Sequence, residues 1–268
     1  MKFTLPVLLV ALMVTTGTVC ASDVNLTADE KVEWHQKEQK IVAVGNAVAT
    51  RDDMNIRADR MIGYYASRAD KPQGKSRITK VEARGNVVMK SPKANAYGQS
   101  MDYDLQQDTI ILKGSPAKIS TDKEVITAED NITYYPQEQK AVAFGNVVGT
   151  SQGNKVFADK MVAFFTKENA KSSNLVMRKV QIFGHVKITT SNAEVTAERG
   201  VYYPQEGKVR LYDNIVINQN GNTLKGDKAE TNLNTGISKL ISTSKSGRVK
   251  GVFKEKKSPK REVKNNDR

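Results

Sequence analysis

Asp59 and Asp159 stand a hundred residues apart, each beside a cation, in Ala58-Asp59-Arg60-Met61 and Ala158-Asp159-Lys160-Met161. Two carboxylates could work as acid and base, but a catalytic pair needs unlike environments to split its pKa values. Equivalent positions of a repeat supply like environments. A structural exchange of hydrogen bonds between neighbouring repeats is therefore the expectation. The two histidines, His35 and His185, are 150 residues apart. No cysteine or tight Asp/Glu cluster accompanies them at ligand spacing, so neither a metal site nor a histidine-based catalyst is expected. Gly221 to Lys228 has the look of a phosphate loop, but Lys228 comes one place late, Asp227 intrudes and no helix follows. No G-x-S-x-G element is present. The paired aromatics Tyr64-Tyr65, Tyr134-Tyr135, Phe164-Phe165 and Tyr202-Tyr203, with Trp34, read as core and turn packing ahead of a sugar-stacking platform. These observations point away from an enzyme and require no cofactor.

The elements that carry these residues alternate with a period of two. Val180, Ile182, Gly184, Val186 and Ile188 alternate with mostly polar neighbours, as do Val209, Leu211, Asp213, Ile215 and Ile217. Such alternation marks half-buried β-strands, and β-branched residues dominate the apolar set. Gln36 to Gln39, Pro136 to Gln139 and Pro204 to Gly207 are polar turns between such runs, and Asn220-Gly221 is a hairpin signal. The spacing predicts an all-β sandwich, roll or barrel with on the order of 18 to 22 strands. A short helix near Thr166–Ser173 is the one candidate exception. Gly45-Asn46, Gly85-Asn86, Gly145-Asn146 and Gly184-His185 fall inside strand patterns, where a bulge or bend is favoured over a ligand touching bare backbone.

One block of about 100 residues occurs twice. Shifted by 100, residues 27–61 fall on 127–161 with Glu38-Gln39-Lys40, Val42-Ala43, Gly45-Asn46, Ala58-Asp59 and Met61 all matched by identical residues. A shift of 99 carries Val81, Gly85 and Val87 onto Val180, Gly184 and Val186. A hairpin module that cannot bury its own apolar face and needs the next one explains the repetition.

The ends read differently. Lys2, an apolar run from Phe3 to Val14 and then Val19-Cys20-Ala21 form the pattern of a secretory signal cut after Ala21. Processing at Cys20 as a lipoprotein is the rival reading. Cleavage after Ala21 removes the single cysteine, so the exported chain has no disulfides and stands on its core. The apolar run falls short of the roughly 20 residues of a membrane helix. The net charge is +13, of which residues 245–268 supply +7, with ten Lys and Arg against three acids. That tail is expected to be disordered. An exported protein meets little nucleic acid. Anionic lipid head groups are one counter-charge for the tail, and mere solvation is the other reading.

The pattern T-A-D/E, Y-x-Q/K-E-Q-K-x-V-A-x-G-N-V, A-D-K/R-M and then Met101-Asp102-Tyr103-Asp104-Leu105-Gln106 resembles the OstA/LptA family over roughly residues 24–240. The expected organisation is a signal peptide 1–21, a duplicated domain 22–244 of the kind this family has and a tail 245–268. The resemblance implies an all-β, repetitive, antiparallel twisted β-jellyroll or β-roll with open ends. It further implies a periplasmic, non-enzymatic carrier that shields the lipid A acyl chains of lipopolysaccharide and joins end to end with itself. Related β-rolls in the inner- and outer-membrane components of that pathway are the other implied partners. The lipid-facing side is expected to include Val42, Val44, Val142, Phe144, Ile182, Val186, Ile188, Leu211, Ile215 and Ile217. A lipid-free scaffold that recruits envelope partners through its edges remains the alternative, and a carbohydrate-processing enzyme on a β-solenoid a further one.

Overall fold

The computed structural model describes residues 24–51, 53–66, 77–168, 175–235, 237–242 and 248–252. The signal segment and most of the basic tail lie outside these residues. Of the expected helix, Thr166 and Lys167 belong to a strand and 169–173 lie outside the described residues.

Among the described residues, eighteen strands form one antiparallel meander, and several are halves of one chain pass. Together β1 (Asn25–Thr27) and β2 (Lys31–His35) line one side of β3 (Lys40–Arg51). Then follow β4 (Met54–Ala66), β5 (Arg77–Lys90) and β6 (Asn95–Asp104). Strands β7 (Thr109–Lys113) and β8 (Ala117–Ser120) share the far side of β6. Strands β9 (Glu124–Ala128) and β10 (Asn131–Tyr135) pair back onto them and forward onto β11 (Lys140–Ser151). The chain continues through β12 (Asn154–Lys167), β13 (Leu175–Thr189), β14 (Ala193–Tyr203), β15 (Lys208–Gln219) and β16 (Asn222–Asn232). It ends with β17 (Ile237–Ile241) and β18 (Lys250–Val252), which divide the last side of β16 between them. Counted this way, the chain makes fourteen passes. A 3-10 turn, Pro204–Glu206, joins β14 to β15.

Bulges halve the passes. In β11, Gly145 and Asn146 stand opposite the lone Asp159 of β12, because Phe144 pairs with Lys160 and Val147 with Ala158. Two residues against one is a bulge, and it bends the strand. Gly45-Asn46, Gly85-Asn86 and Gly184-His185 repeat it, each with positive φ at both residues, and Asp213-Asn214 makes the same turn without glycine. The sequence placed glycines inside strands, and the structure shows why.

On either side of the bulges, one register row crosses every pass. The first runs Val32, Ala43, Met61, Ala83, Met101, Leu112, Ile132, Ala143, Met161, Ile182, Gly200, Leu211, Ala229, Leu240. The second runs Leu26, Ala49, Ile56, Met89, Ala96, Ile119, Ile126, Gly149, Val156, Ile188, Val195, Ile217, Leu224, Gly251. No member of either row is polar. The buried members of both rows belong to one hydrophobic cluster, so the two halves of the meander are layers packed face to face. Small and large residues alternate where they meet, as in Ala43, Met61, Ala83 and Met101, which lets opposing side chains interdigitate. At about 4.8 Å per pass the rows extend roughly 60 Å.

Candidate lipid-binding trough

The bulges also settle what the repeated carboxylates do. The second bulge residue of each pass donates to a carboxylate of the pass before it: Asn46 Nδ2 to Asp29 at 2.7 Å, Asn86 to Asp59 at 2.9 Å, Asn146 to Glu129 at 2.6 Å and Asn214 to Glu198 at 3.3 Å. His185 Nδ1 takes the same place 2.9 Å from Asp159. Its hydrogen bond with Asp159, aided by the negative charge, raises the His185 pKa above 6.5. Asp59 and Asp159 thus tie neighbouring passes together, as the duplication implied. His35 lies elsewhere, 3.3 Å from Glu33. Among the described residues no group of three or more His, Cys, Asp or Glu could hold a metal ion.

Other titratable groups lie at the outer margins of the layers. Burial raises the pKa of Asp108, opposed by the backbone N–H of Gln137. Burial pushes the phenol of Tyr134 up to about 12, with the Asp108 charge adding to it. Tyr202 is likewise pushed up to about 12 by burial, and it feels Glu124 from the facing layer. These are consequences of packing, and they bring no acid and base together.

The space between the layers opens at the first passes. A cavity of about 260 Å³ lies there, walled by Leu26 and Ala49 of one layer and Ile41, Met61 and Val81 of the other, with Trp34 at its rim. Trp34 donates from Nε1 to the Tyr65 hydroxyl at 2.6 Å and remains 66% exposed. Along the middle passes the layers touch, and Ile182, Val186, Ile188, Leu211 and Ile215 are all buried.

Of the ten residues expected to face this interior, those five do so, and Ile217 packs against the same cluster half-buried. The other four do not. Ala43 and Ala143 hold the inward positions, which turns Val42, Val44, Val142 and Phe144 to the outer surface. Phe144 is 47% exposed there. Val42 is buried but stands apart from the interior cluster, between Glu33 and Ile62 on the outer face. Side-chain size misled: beside the bulge the valines and Phe144 lie outside and Ala43 and Ala143 inside, although Ile41 of the same strand faces inward. The bulge glycine carried the missing signal, since stepping back by two from Gly45 or Gly145 lands on inward residues each time.

The duplicated sequence has a counterpart among known families. The family described as LptA/(LptD N-terminal domain) LPS transport protein matches residues 25–140 and again 130–237. The chain belongs to this family. The two matches to the LptA/LptD N-terminal family follow the duplication: the first runs from β1 to the start of β11, the second from the β9–β10 connection into β17. A curated relative, "Uncharacterized protein R00383" of Rhizobium meliloti (strain 1021), is 28% identical over 97 residues, 36% of this chain and 52% of that protein. The chain thus spans about half the length of the curated relative it matches. Among solved structures, LptH, the LptA homologous periplasmic component of the lipopolysaccharide transport device of Pseudomonas aeruginosa, is similar over 49% of this chain and 95% of that one. The identity is 18% and the TM-score 0.41.

Proposed function

We propose that this protein carries lipopolysaccharide through the periplasm, sheltering the acyl chains of lipid A between its two layers. The observation that carries the reading is the pair of uninterrupted apolar rows, which run through all fourteen passes and open into the cavity beside Trp34. Sheltering acyl chain from water is worth about 0.8 kcal/mol per CH₂. A chain of about a dozen carbons therefore costs on the order of 10 kcal/mol to expose. A carrier needs a path of nearly uniform affinity, and repeated passes lined by equivalent residues supply one. The proposed lipid-facing residues are Ile182, Val186, Ile188, Leu211, Ile215 and Ile217, joined at the open end by Ile41, Met61 and Val81. The cavity falls just short of the roughly 300–1,000 Å³ of a ligand pocket. A lipid moving inward must part the layers beyond it.

The ends support a bridging role. Among the described residues, strands β1 and β2 pair on one side only, as do β17 and β18. The first edge exposes Val32 and Trp34, and the last exposes Ile237 and Val252. An exposed apolar edge is a template for pairing with another chain. Copies of this protein, or the membrane components of the pathway, would extend the trough by adding strands there.

The tight middle favours a second reading, a scaffold that holds no lipid and acts through these edges. Native mass spectrometry of the protein released gently from its own envelope tests both. The carrier reading expects co-purifying lipopolysaccharide. Repeated recovery free of lipid, with the fold intact, would support the scaffold and refute the carrier.

A further inference from the structure

The outer faces of the two layers differ in how many acids stand among their cations. On the layer that carries Ile182 and Leu211, outward acids stand among the cations and pair with many of them, while Arg60, Lys113, Lys160, Lys228 and Lys239 also face outward there. Lys31 pairs with Glu33 at 2.8 Å, Arg84 with Asp102 at 2.6 Å and Arg210 with Glu230 at 3.0 Å. Lys40 and Lys140 pair with Glu38 and Glu138. On the layer that carries Ile188 and Ile217, the outward strand positions hold Lys90, Lys118, Lys155, Lys187, Lys225 and Lys250. Glu194 is the lone outward carboxylate among that layer's described strand residues, and it pairs with Lys187 at 2.8 Å. Lys225 and Lys250 stand directly opposite each other across β16 and β18, both exposed. Like charges in that position repel, and a paired sheet does not place them so without cost.

We infer that this outer face is a docking surface for an anionic lipid bilayer. Three features select a bilayer over a discrete ligand. The cations spread across passes from β5 to β18 and do not converge on one point. The residues between them, such as Thr189, Thr196, Val216 and Thr223, make a continuous sheet surface. The chain also leaves the described structure from this face, at Val252 of β18, and the following sixteen residues carry seven Lys and Arg against three acids. Basic clusters of this size, beside a basic segment, are attracted to surfaces rich in acidic head groups. The acidic bulge line lies along the fold between the layers, so it does not neutralise this face. The inference does not depend on the interior holding lipid.

Co-sedimentation of the protein with vesicles tests it. One vesicle type is phosphatidylcholine alone, and the other contains phosphatidylglycerol as a minor component. The protein should bind only the second, and high salt should release it. Replacing Lys155, Lys187, Lys225 and Lys250 by Gln should weaken binding about tenfold or more. A control with Lys160, Lys179, Lys208 and Lys239 replaced by Gln changes the net charge equally and should bind nearly as the parent does. A Lys225→Gln variant alone should bind more weakly while unfolding at the same or a higher temperature. Equal weakening by the two quadruple variants would reduce the effect to net charge and overturn the assignment. So would undiminished binding by the first, binding lost only when the cations of 253–268 are removed, or equal binding to neutral vesicles.

Discussion

Gly184 packs against Asp159 with no room for a side chain: a β-carbon at residue 184 would overlap the carboxylate oxygen Oδ2. The same relationship joins Gly85 to Asp59. Both glycines also hold φ at +74°, where other residues are strained. One repeated contact thus sets the bend of the pass and the position of the carboxylate that ties it to its neighbour.

Gly184→Ala should therefore destabilise the protein by about 1–2 kcal/mol or more, read from the urea midpoint. Gly149→Ala is the control, because a β-carbon there meets nothing within 4 Å and φ is not positive. It should be neutral or mildly stabilising. Equal losses at the two sites would mean that the bulges are not the constraint described.

The direction in which residues face can be tested on two large side chains. Ile182 is 3% exposed in the interior row, and Phe144 is 47% exposed on the outer face. Ile182→Ala should cost about 2–5 kcal/mol, and Phe144→Ala no more than about 0.5 kcal/mol. The reverse order in chemical denaturation would restore Phe144 to the interior.

How much of this was legible in the sequence depends on the strand. Residues 180–188 and 209–217 pair strict alternation with large inward side chains, so periodicity alone gave their faces. Residues 41–44 and 141–144 are apolar on both faces, and hydrophobicity does not say which face is inside. There the structure chose the alanines, because facing layers must approach closely beside Met61 and Met161. The duplication and the hairpin turns could be read from identities and turn residues. The division of passes into two layers could not, because the bulge is a matter of pairing register, which one strand's sequence does not record.

His185 replaces the asparagine found at the other bulges, and it adds a pH dependence. Its folded pKa is raised above 6.5, chiefly by the hydrogen bond to Asp159. The stabilisation from the charged ring is therefore complete below 6.5 and is lost as pH rises through the raised value. NMR titration should show a His185 pKa above 6.5 that falls back toward it in Asp159→Asn. An unchanged value in that variant would remove Asp159 as the cause.

Lysines at the free edges should block end-to-end assembly. The proposed end-to-end assembly predicts longer species of the parent chain in sedimentation velocity, and monomers of Val32→Lys with Ile237→Lys at the same concentration. Assemblies of undiminished size in the double variant would place self-association elsewhere on the surface.

The central claim concerns which face of a strand meets lipid, and β3 offers both within four residues. Ile41 lines the open end of the trough, and Val44 lies on the outer face of the same strand. A photo-crosslinking amino acid placed at one position or the other, in cells making lipopolysaccharide, reads the difference directly. Position 41 should give lipid A adducts, and position 44 few or none. Equal labelling from both, or labelling from 44 alone, would contradict the claim.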